Sequence, residues 1–202
     1  MIQIPFPLVE SQTGNWNSDE SSGSLSVTAL PHSDLYCNPK GESSPDVPSV
    51  LNALTLLGSP RASDFQFSAK VSVDFKSTYD AGVLLIWRDE RTWAKLCFEY
   101  SPDREAMVVS VVTLGASDDA NSFTVPHNAA WLRISRMERV YAFHASHDAN
   151  NWKLVRVFTL GSEVAEHKVG FEAQAPIGSG CQITFEDIKF TETSLAELRD
   201  GS

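Results

Sequence analysis

Cysteine is scarce in this sequence, with three residues, Cys37, Cys97 and Cys181, among 202. An odd number at separations of 60 and 84 residues suits neither a disulfide framework nor a zinc site with paired ligands. The expectation is three reduced thiols in a cytoplasmic protein. Apolar runs such as the one from Val108 reach only about ten residues, short of the roughly 20 that a membrane helix needs, so no membrane partner is expected. The opening MIQIPFPLVE has no basic n-region, and no signal peptide is expected. Positive charge is also in deficit: 16 Lys and Arg against 26 Asp and Glu give −10, with the basic residues scattered. Such a chain repels phosphate backbones, which argues against a nucleic-acid partner.

Repeats, heptads and low-complexity tracts are missing too, which excludes collagen-like, coiled-coil and disordered classes. One domain over residues 1–202 is the economical count. No GxSxG, HExxH, P-loop or GxGxxG occurs, so hydrolase triads, zincins and nucleotide-binding folds lose their usual support.

From Phe65 onward the sequence alternates with period 2 between turn residues. Nine strands are expected: Phe65 to Phe75, Ala81 to Trp87, Trp93 to Tyr100, Met107 to Leu114, Trp131 to Arg136, Val140 to Ser146, Lys153 to Leu160, Lys168 to Gln174 and Gln182 to Phe190. Short strands at this spacing predict an all-β, two-sheet antiparallel β-sandwich. Residues 11–24 and 38–49, rich in Ser, Gly and Pro, are expected to be loops. Only 194–201 has a helical pattern, with Ser194 and Glu197 in capping-box positions, so a short C-terminal helix is expected.

Alternation also sorts the faces. Ala94, Leu96, Phe98 and Tyr100 fall on one side of their strand, and Trp93, Lys95, Cys97 and Glu99 on the other. If RDERT (88–92) is a five-residue hairpin loop, Trp87 faces Trp93 and Leu85 faces Lys95. In the next hairpin Trp131, Arg133 and Ser135 point outward with Ala142 and His144, and a turn at Met137 and Glu138 sets Trp131 opposite His144. A four-residue loop after Tyr100 places Ser110 beside Lys95, whereas five turn it to the core. Large aromatics on non-core faces point to a partly lined groove. For any single Trp, burial under the long loops as a satellite core is the alternative.

The segments SDFQFSAKVSVDFKSTYDAGVLLIWRDERTWAKLCFEYSPD (63–103), VVSVVTLGASDDANSF (108–123), WLRISR (131–136), FHASHDANNWKLVRVFTL (143–160) and VGFEAQAPIGSGCQITFEDIKF (169–190), with SDLYCNPKG (33–41), resemble one family. It is that of the intracellular concanavalin A-like jelly rolls, which includes the YesU-like bacterial proteins and the fungal "regulation of enolase" proteins. The resemblance covers about residues 14–191. It implies two curved sheets whose concave face, in lectins and glucanases of this architecture, holds sugars. Glycosidases of this fold carry two or three carboxylates on one strand face, as retaining hydrolysis requires. Here Glu186 and Asp187 are adjacent and point to opposite faces, which argues against that hydrolysis.

Three functions follow. The first is a cytoplasmic binding module whose groove presents Trp87, Trp93, Lys95, Glu99, Arg133, His144 and Gln174 to a small carbohydrate, with Tyr36 and Asn38 from the loop above. Aromatic faces would pack on sugar C–H groups while the polar groups fix orientation. The second is a cofactor-independent isomerase or cyclase acting on an apolar metabolite, with Glu99, Lys95 and His144 as acid, base or hydrogen-bond donor. The third is a regulatory protein-binding module. Asp118, Asp119 and Asn121 offer oxygens for Ca²⁺ but lack EF-hand spacing, so a solvated acidic loop is expected. His127, His147 and His167 show no paired spacing, and neither metal nor cofactor is expected. Cys97, beside Lys95, is the one thiol placed for activation.

Overall fold

The computed structural model describes residues 4–41, 48–161 and 166–202, and among them shows sixteen strands and no helix. In chain order they are β1 (Val9–Glu10), β2 (Trp16–Asp19), β3 (Ser24–Thr28), β4 (Leu35–Tyr36), β5 (Val50–Leu51), β6 (Leu54–Gly58), β7 (Phe65–Asp74), β8 (Ala81–Asp89), β9 (Thr92–Tyr100), β10 (Ala106–Leu114), β11 (Ser117–Thr124), β12 (Ala129–Met137), β13 (Val140–Ser146), β14 (Lys153–Phe158), β15 (Lys168–Gln174) and β16 (Gln182–Thr191). One seven-stranded sheet runs β1-β6-β15-β8-β9-β10-β11, a second runs β14-β13-β12-β7-β16-β3-β2, and β4 pairs with β5. Every pairing within these sheets is antiparallel, giving a two-sheet sandwich.

The second sheet shows why alternation was readable. In β7, FQFSAKVSVD buries Phe65, Phe67, Ala69, Val71 and Val73 while every intervening residue keeps solvent contact. Those buried residues meet the inner face of the first sheet, where Phe171 contacts Phe67 at 5.2 Å and Phe185 at 4.7 Å between ring centroids. Each fully buried aromatic of this kind contributes roughly 1.5–3 kcal/mol, so this interlayer core holds the sandwich together.

The first sheet is different because both its faces are covered. Ala81 to Ile86 of β8 and Trp93 to Phe98 of β9 are buried without a break. The second cover is the connection between β3 and β6, which crosses the outward face. It is stitched to one side by Ser33 pairing with Ala175, and to the other by Ser117 N–H donating to the Cys37 carbonyl (2.8 Å) while Cys37 N–H donates to Ser117 Oγ (2.9 Å). Beneath this strap Leu35 and Cys37 pack with Leu57, Leu85, Trp93 and Val111.

All nine expected strands are present, and the Trp87–Trp93 and Leu85–Lys95 pairs form, although the turn is Glu90 and Arg91 alone, with a register irregularity between Trp87 and Asp89 in place of a five-residue loop. Five residues separate Tyr100 from Ala106, so Ser110 lies opposite Leu96, on the core side. Other expectations are corrected. The turn of the β12–β13 hairpin is Glu138 and Arg139, one residue later than expected, so Arg133 faces His144 and Trp131 faces Ser146. Glu138 takes the left-handed φ of 55° that this tight turn needs, and its N–H is held by Asp64 Oδ1 at 2.7 Å.

The stretch 11–24 holds β2, and the acidic run 117–124 is β11, an edge strand whose mostly solvent-facing side chains leave no apolar period to detect. The loop expected at 38–49 lies partly outside the described residues, at 42–47. The C-terminal helix does not form. Residues 194–202 instead close a loop in which Gly201 N–H bonds the Glu197 carbonyl and the Ala196 and Glu197 N–H groups bond that of Ser202. Eight residues are too few to nucleate a helix without packing along one face. No helix among the described residues is long and apolar enough to cross a membrane.

Gly170 of β15 shows how closely the strands approach on the covered sheet. A Cβ there would run into the Leu56 carbonyl of β6. Gly170→Ala is therefore expected to cost about 1–3 kcal/mol through overpacking, seen as a lower urea midpoint; an unchanged midpoint would show that β6 and β15 can part at no cost.

Candidate functional site

The polar residues of the covered face converge on Lys95. On the outward face of β9, Lys95 is only 4% exposed, and its Nζ donates to Asp34 Oδ1 on the strap at 2.9 Å and to Gln174 Oε1 on β15 at 2.8 Å. Gln174 passes the arrangement on, its Nε2 donating to the Tyr79 carbonyl at 3.1 Å. Register explains the reach. Gln174 pairs with Ala81, which pairs with Glu99, so Lys95 must extend along the face past Cys97 to reach that row. The floor there is Ala81, Val83 and Cys97, small enough to leave room for it.

Carboxyls surround this ammonium. Glu99 is half-buried at the end of β9, and Asp119, on the β11 position paired with Val111, is exposed at the rim. Glu172 is wholly buried on β15, and neither of its carboxyl oxygens has a hydrogen-bond partner. Burial pushes Glu172 up to about 8 against the opposing charge of Lys95, and the same two influences, burial the larger, bring Glu99 to about 8. Asp119 is raised by burial as well. Burial works against the Lys95 ammonium, but the charges of Asp34 and the neighbouring acids outweigh it and hold Lys95 above its ordinary range. At neutral pH the cluster thus holds a fixed cation, an ionic partner in Asp34, and two carboxyls that keep their protons. The half-buried Tyr36 belongs to the same rim, its hydroxyl raised first by burial and then by the charges of Asp119 and Asp34.

Other expected site residues fall elsewhere. Arg133 and His144 face outward from the second sheet, on the opposite side of the sandwich from Lys95, and cannot share its groove. Their face is covered by the chain's last residues: Arg133 Nη2 donates to the Gly201 carbonyl at 2.6 Å, and His144 Nε2 lies 2.9 Å from the Leu198 carbonyl. Burial, then the Arg133 charge, lowers His144 to about 4, so it is neutral at pH 7. Trp131 belongs to that sheet too, with Lys70 Nζ 5.4 Å from its ring centroid.

Trp93 is fully buried beneath the strap, its Nε1–H on the Glu90 carbonyl at 3.3 Å; the satellite-core alternative holds for it. Trp87 is half-buried and borders a cleft of about 310 Å³ with Val9, Leu35, Leu51, Ala53 and Leu57. Asn38 closes the strap's own turn, its Oδ1 accepting the Lys40 N–H at 2.9 Å.

Burial drives the Cys97 thiol well above its usual range despite Lys95, the reverse of activation. All three cysteines are free and buried. Asp118 and Asp119 point to opposite faces of β11, and Asp118 pairs with Arg156 at 2.6 Å instead of sharing a cation. No group of three or more His, Cys, Asp or Glu suited to a metal ion occurs among the described residues.

Asp34 and Asp119 were not expected in the site. A signal for Asp34 existed, because Asp34, Tyr36 and Asn38 alternate along one extended segment.

The fold has solved counterparts. A functionally unknown protein from Saccharomyces cerevisiae superposes with a TM-score of 0.77 at 22% identity, over 92% of this chain and 95% of that one. A xylan β-1,4-xylosidase from Bacillus halodurans C-125 gives 0.66 at 13% identity over 91% of this chain, which spans 38% of the xylosidase. An uncharacterized protein from Mycobacterium paratuberculosis gives 0.58 at 10% identity, covering 91% of each chain. No curated protein matches. Residues 11–193 match a family described as a protein of unknown function, DUF1349, and the chain belongs to that family.

Proposed function

We propose that the rim beside Lys95, where Asp119 is exposed and Glu99 and Tyr36 are half-buried, binds a small carbohydrate. The observation that carries this reading is the Lys95–Asp34–Gln174 cluster itself. A buried ammonium held by a half-buried carboxylate stabilises a fold less well than apolar side chains of the same size, so a network of this kind on a sheet face serves recognition better than packing. Sugar hydroxyls donate and accept at once. The rim offers them the Asp119 and Asp34 oxygens as acceptors, protonated Glu99 and Tyr36 as donors, and the phenol ring as a flat apolar wall. The likeness of this fold to part of a xylan β-1,4-xylosidase favours the same ligand class. A small-molecule partner, and not nucleic acid, suits the charge of −10, and three free cysteines suit a cytoplasmic location.

Calorimetric titration of the full chain with xylose, xylobiose, glucose and maltose tests the reading. At least one sugar should bind saturably, and Glu99→Leu should weaken it about tenfold, the loss of one hydrogen bond. Arg133→Gln should leave that affinity unchanged. Absence of binding by all four sugars would reject the proposal.

A second reading has one observation in its favour. A carboxyl that keeps its proton to about pH 8 beside a lysine is suited to general-acid chemistry, as a cofactor-independent isomerase or cyclase needs. It predicts turnover lost in Glu99→Gln while binding persists.

A further inference from the structure

A second concentration of ionisable groups lies far from Lys95, at the end of the sandwich where the β6–β7 connection meets the start of β15. A cleft of about 560 Å³ opens there, walled by Ser59, Arg61, Ser63, Arg136, Glu166 and His167. Arg136 is on the inward side of β12, next along that face from Ile134, so its guanidinium caps the mouth of the hydrophobic core. It is 6% exposed and forms no ion pair within 4 Å among the described residues; its Nε donates to the Glu138 carbonyl at 2.8 Å, and its guanidinium carbon lies 5.6 Å from the Tyr141 ring centroid. Asp64 lies near enough for the Arg136 charge to be felt, but its two oxygens are already taken by the Glu138 N–H and the Ser194 hydroxyl, each at 2.7 Å. A buried guanidinium without a carboxylate is costly, and the usual remedy is an anion.

His167 adds an independent sign. It is 6% exposed, its Nδ1 is bonded to the Tyr141 hydroxyl at 2.7 Å, and its Nε2 has no partner. Burial first, then the charges of Arg136 and Arg88, push His167 down to about 4, so the ring is neutral at pH 7. In the tautomer where the Tyr141 hydroxyl donates to Nδ1, the ring proton sits on Nε2, a donor with no partner among the described residues. Arg61, exposed at the rim and also outside any ion pair, brings a second positive charge. A chain of net charge −10 has therefore gathered two unpaired arginines and an unpaired imidazole N–H around one cleft.

We propose that this cleft binds the phosphoryl group of a small phosphorylated ligand, held by the guanidiniums of Arg136 and Arg61 and by the His167 Nε2–H. Two guanidiniums match a dianion in charge, and their forked donors match phosphate oxygens in pairs. The Ser59 and Ser63 hydroxyls extend the donor set at the rim. Among the described residues Glu166 is the one acid on the wall; it is exposed to solvent, where its charge is screened, so the anion is expected on the Arg136 side.

The test is calorimetric titration of the full chain at pH 7 with inorganic phosphate, glucose 6-phosphate and glucose. Both phosphate-bearing probes should bind, and glucose, whatever its binding at the Lys95 face, should not displace inorganic phosphate. Arg61→Gln, an exposed change that leaves the core untouched, should weaken binding about tenfold, as loss of one charge-assisted contact does. Arg136→Gln should abolish binding while its melting temperature stays at or above that of the parent, since it removes an unpaired buried charge. Glu99→Leu should bind the phosphate probes as the parent does, which keeps this outcome separate from that of the rim beside Lys95. Failure of both phosphate probes to bind, displacement of inorganic phosphate by glucose, or undiminished binding in Arg61→Gln and Arg136→Gln would each overturn the proposal.

Discussion

Lys95→Met is expected to lower the stability of the protein by about 3–5 kcal/mol at pH 7, the cost of breaking a buried ion pair by removing one partner. The lysine is 4% exposed and carries the hydrogen bonds that satisfy Asp34 Oδ1 and Gln174 Oε1. Methionine fills most of the same volume, so the loss comes from the stranded acceptors and not from a cavity. Asp34 belongs to the strap, and without the ammonium it faces the raised acids Glu99 and Glu172, so the strap should also loosen over Trp93. The double variant Lys95→Met with Asp34→Asn should recover part of the loss, because it leaves no buried charge unpaired. Urea unfolding of the parent and the two variants checks this. A single-variant loss of under about 1 kcal/mol, the range of a surface pair, would mean that the cluster is solvated in solution.

Stability should fall as pH rises from about 6.5 to 8. Glu99 and Glu172 are held near 8 in the folded chain, against 4.5 as the ordinary value. Between those values the folded state binds more protons than the unfolded one, so each carboxyl lowers stability with rising pH. His144 and His167 have the opposite sign: lowered to about 4 from 6.5, they bind fewer protons when folded, and stability rises through that interval. Between 4.5 and 6.5 the two pairs oppose each other and the profile should be shallow. Above 6.5 the histidines are neutral in both states and only the carboxyls act. For the wholly buried Glu172 the change from 6.5 to 8 corresponds to about 2 kcal/mol, from 1.36 kcal/mol per pH unit. Glu172→Leu should remove that share and be more stable than the parent at pH 8, since the native carboxyl has no hydrogen-bond partner to lose. Urea midpoints at pH 5, 6.5 and 8 decide the matter, and a parent that gains stability from 6.5 to 8 would show that both acids are ionised and solvated.

How far the sequence could be read depends on what each signal encodes. Period 2 in FQFSAKVSVD and TWAKLCFEY reports which side chains share a face, and the length of the RDERT turn reports register, so the Leu85–Lys95 pair was legible. Alternation does not report which sheet an outward face belongs to. Arg133 and His144 were outward as expected, yet outward on the opposite layer from Lys95. Nor does it report cover. Trp93 has the same parity as Lys95, and only the strap, about 60 positions earlier in the chain, decides that it is core. Asp119 was hidden for a different reason: β11 is an edge strand made by backbone pairing to β10, and its side chains carry no apolar rhythm. Arg136 and His167 were invisible as a pair, because each is an ordinary strand-end residue until the sandwich brings β12 and β15 together at one end.

The central claim is that the outward face around Lys95 is where ligand binds. Amide chemical shifts of the full-length protein, followed while xylobiose is added, test it most directly. Saturable shifts should be confined to residues 34–38, 95–99 and 117–121, diminished in Glu99→Leu and absent from β12 and β13. Shifts centred instead on Arg133 and His144, or no shift with any sugar of the panel, would contradict it.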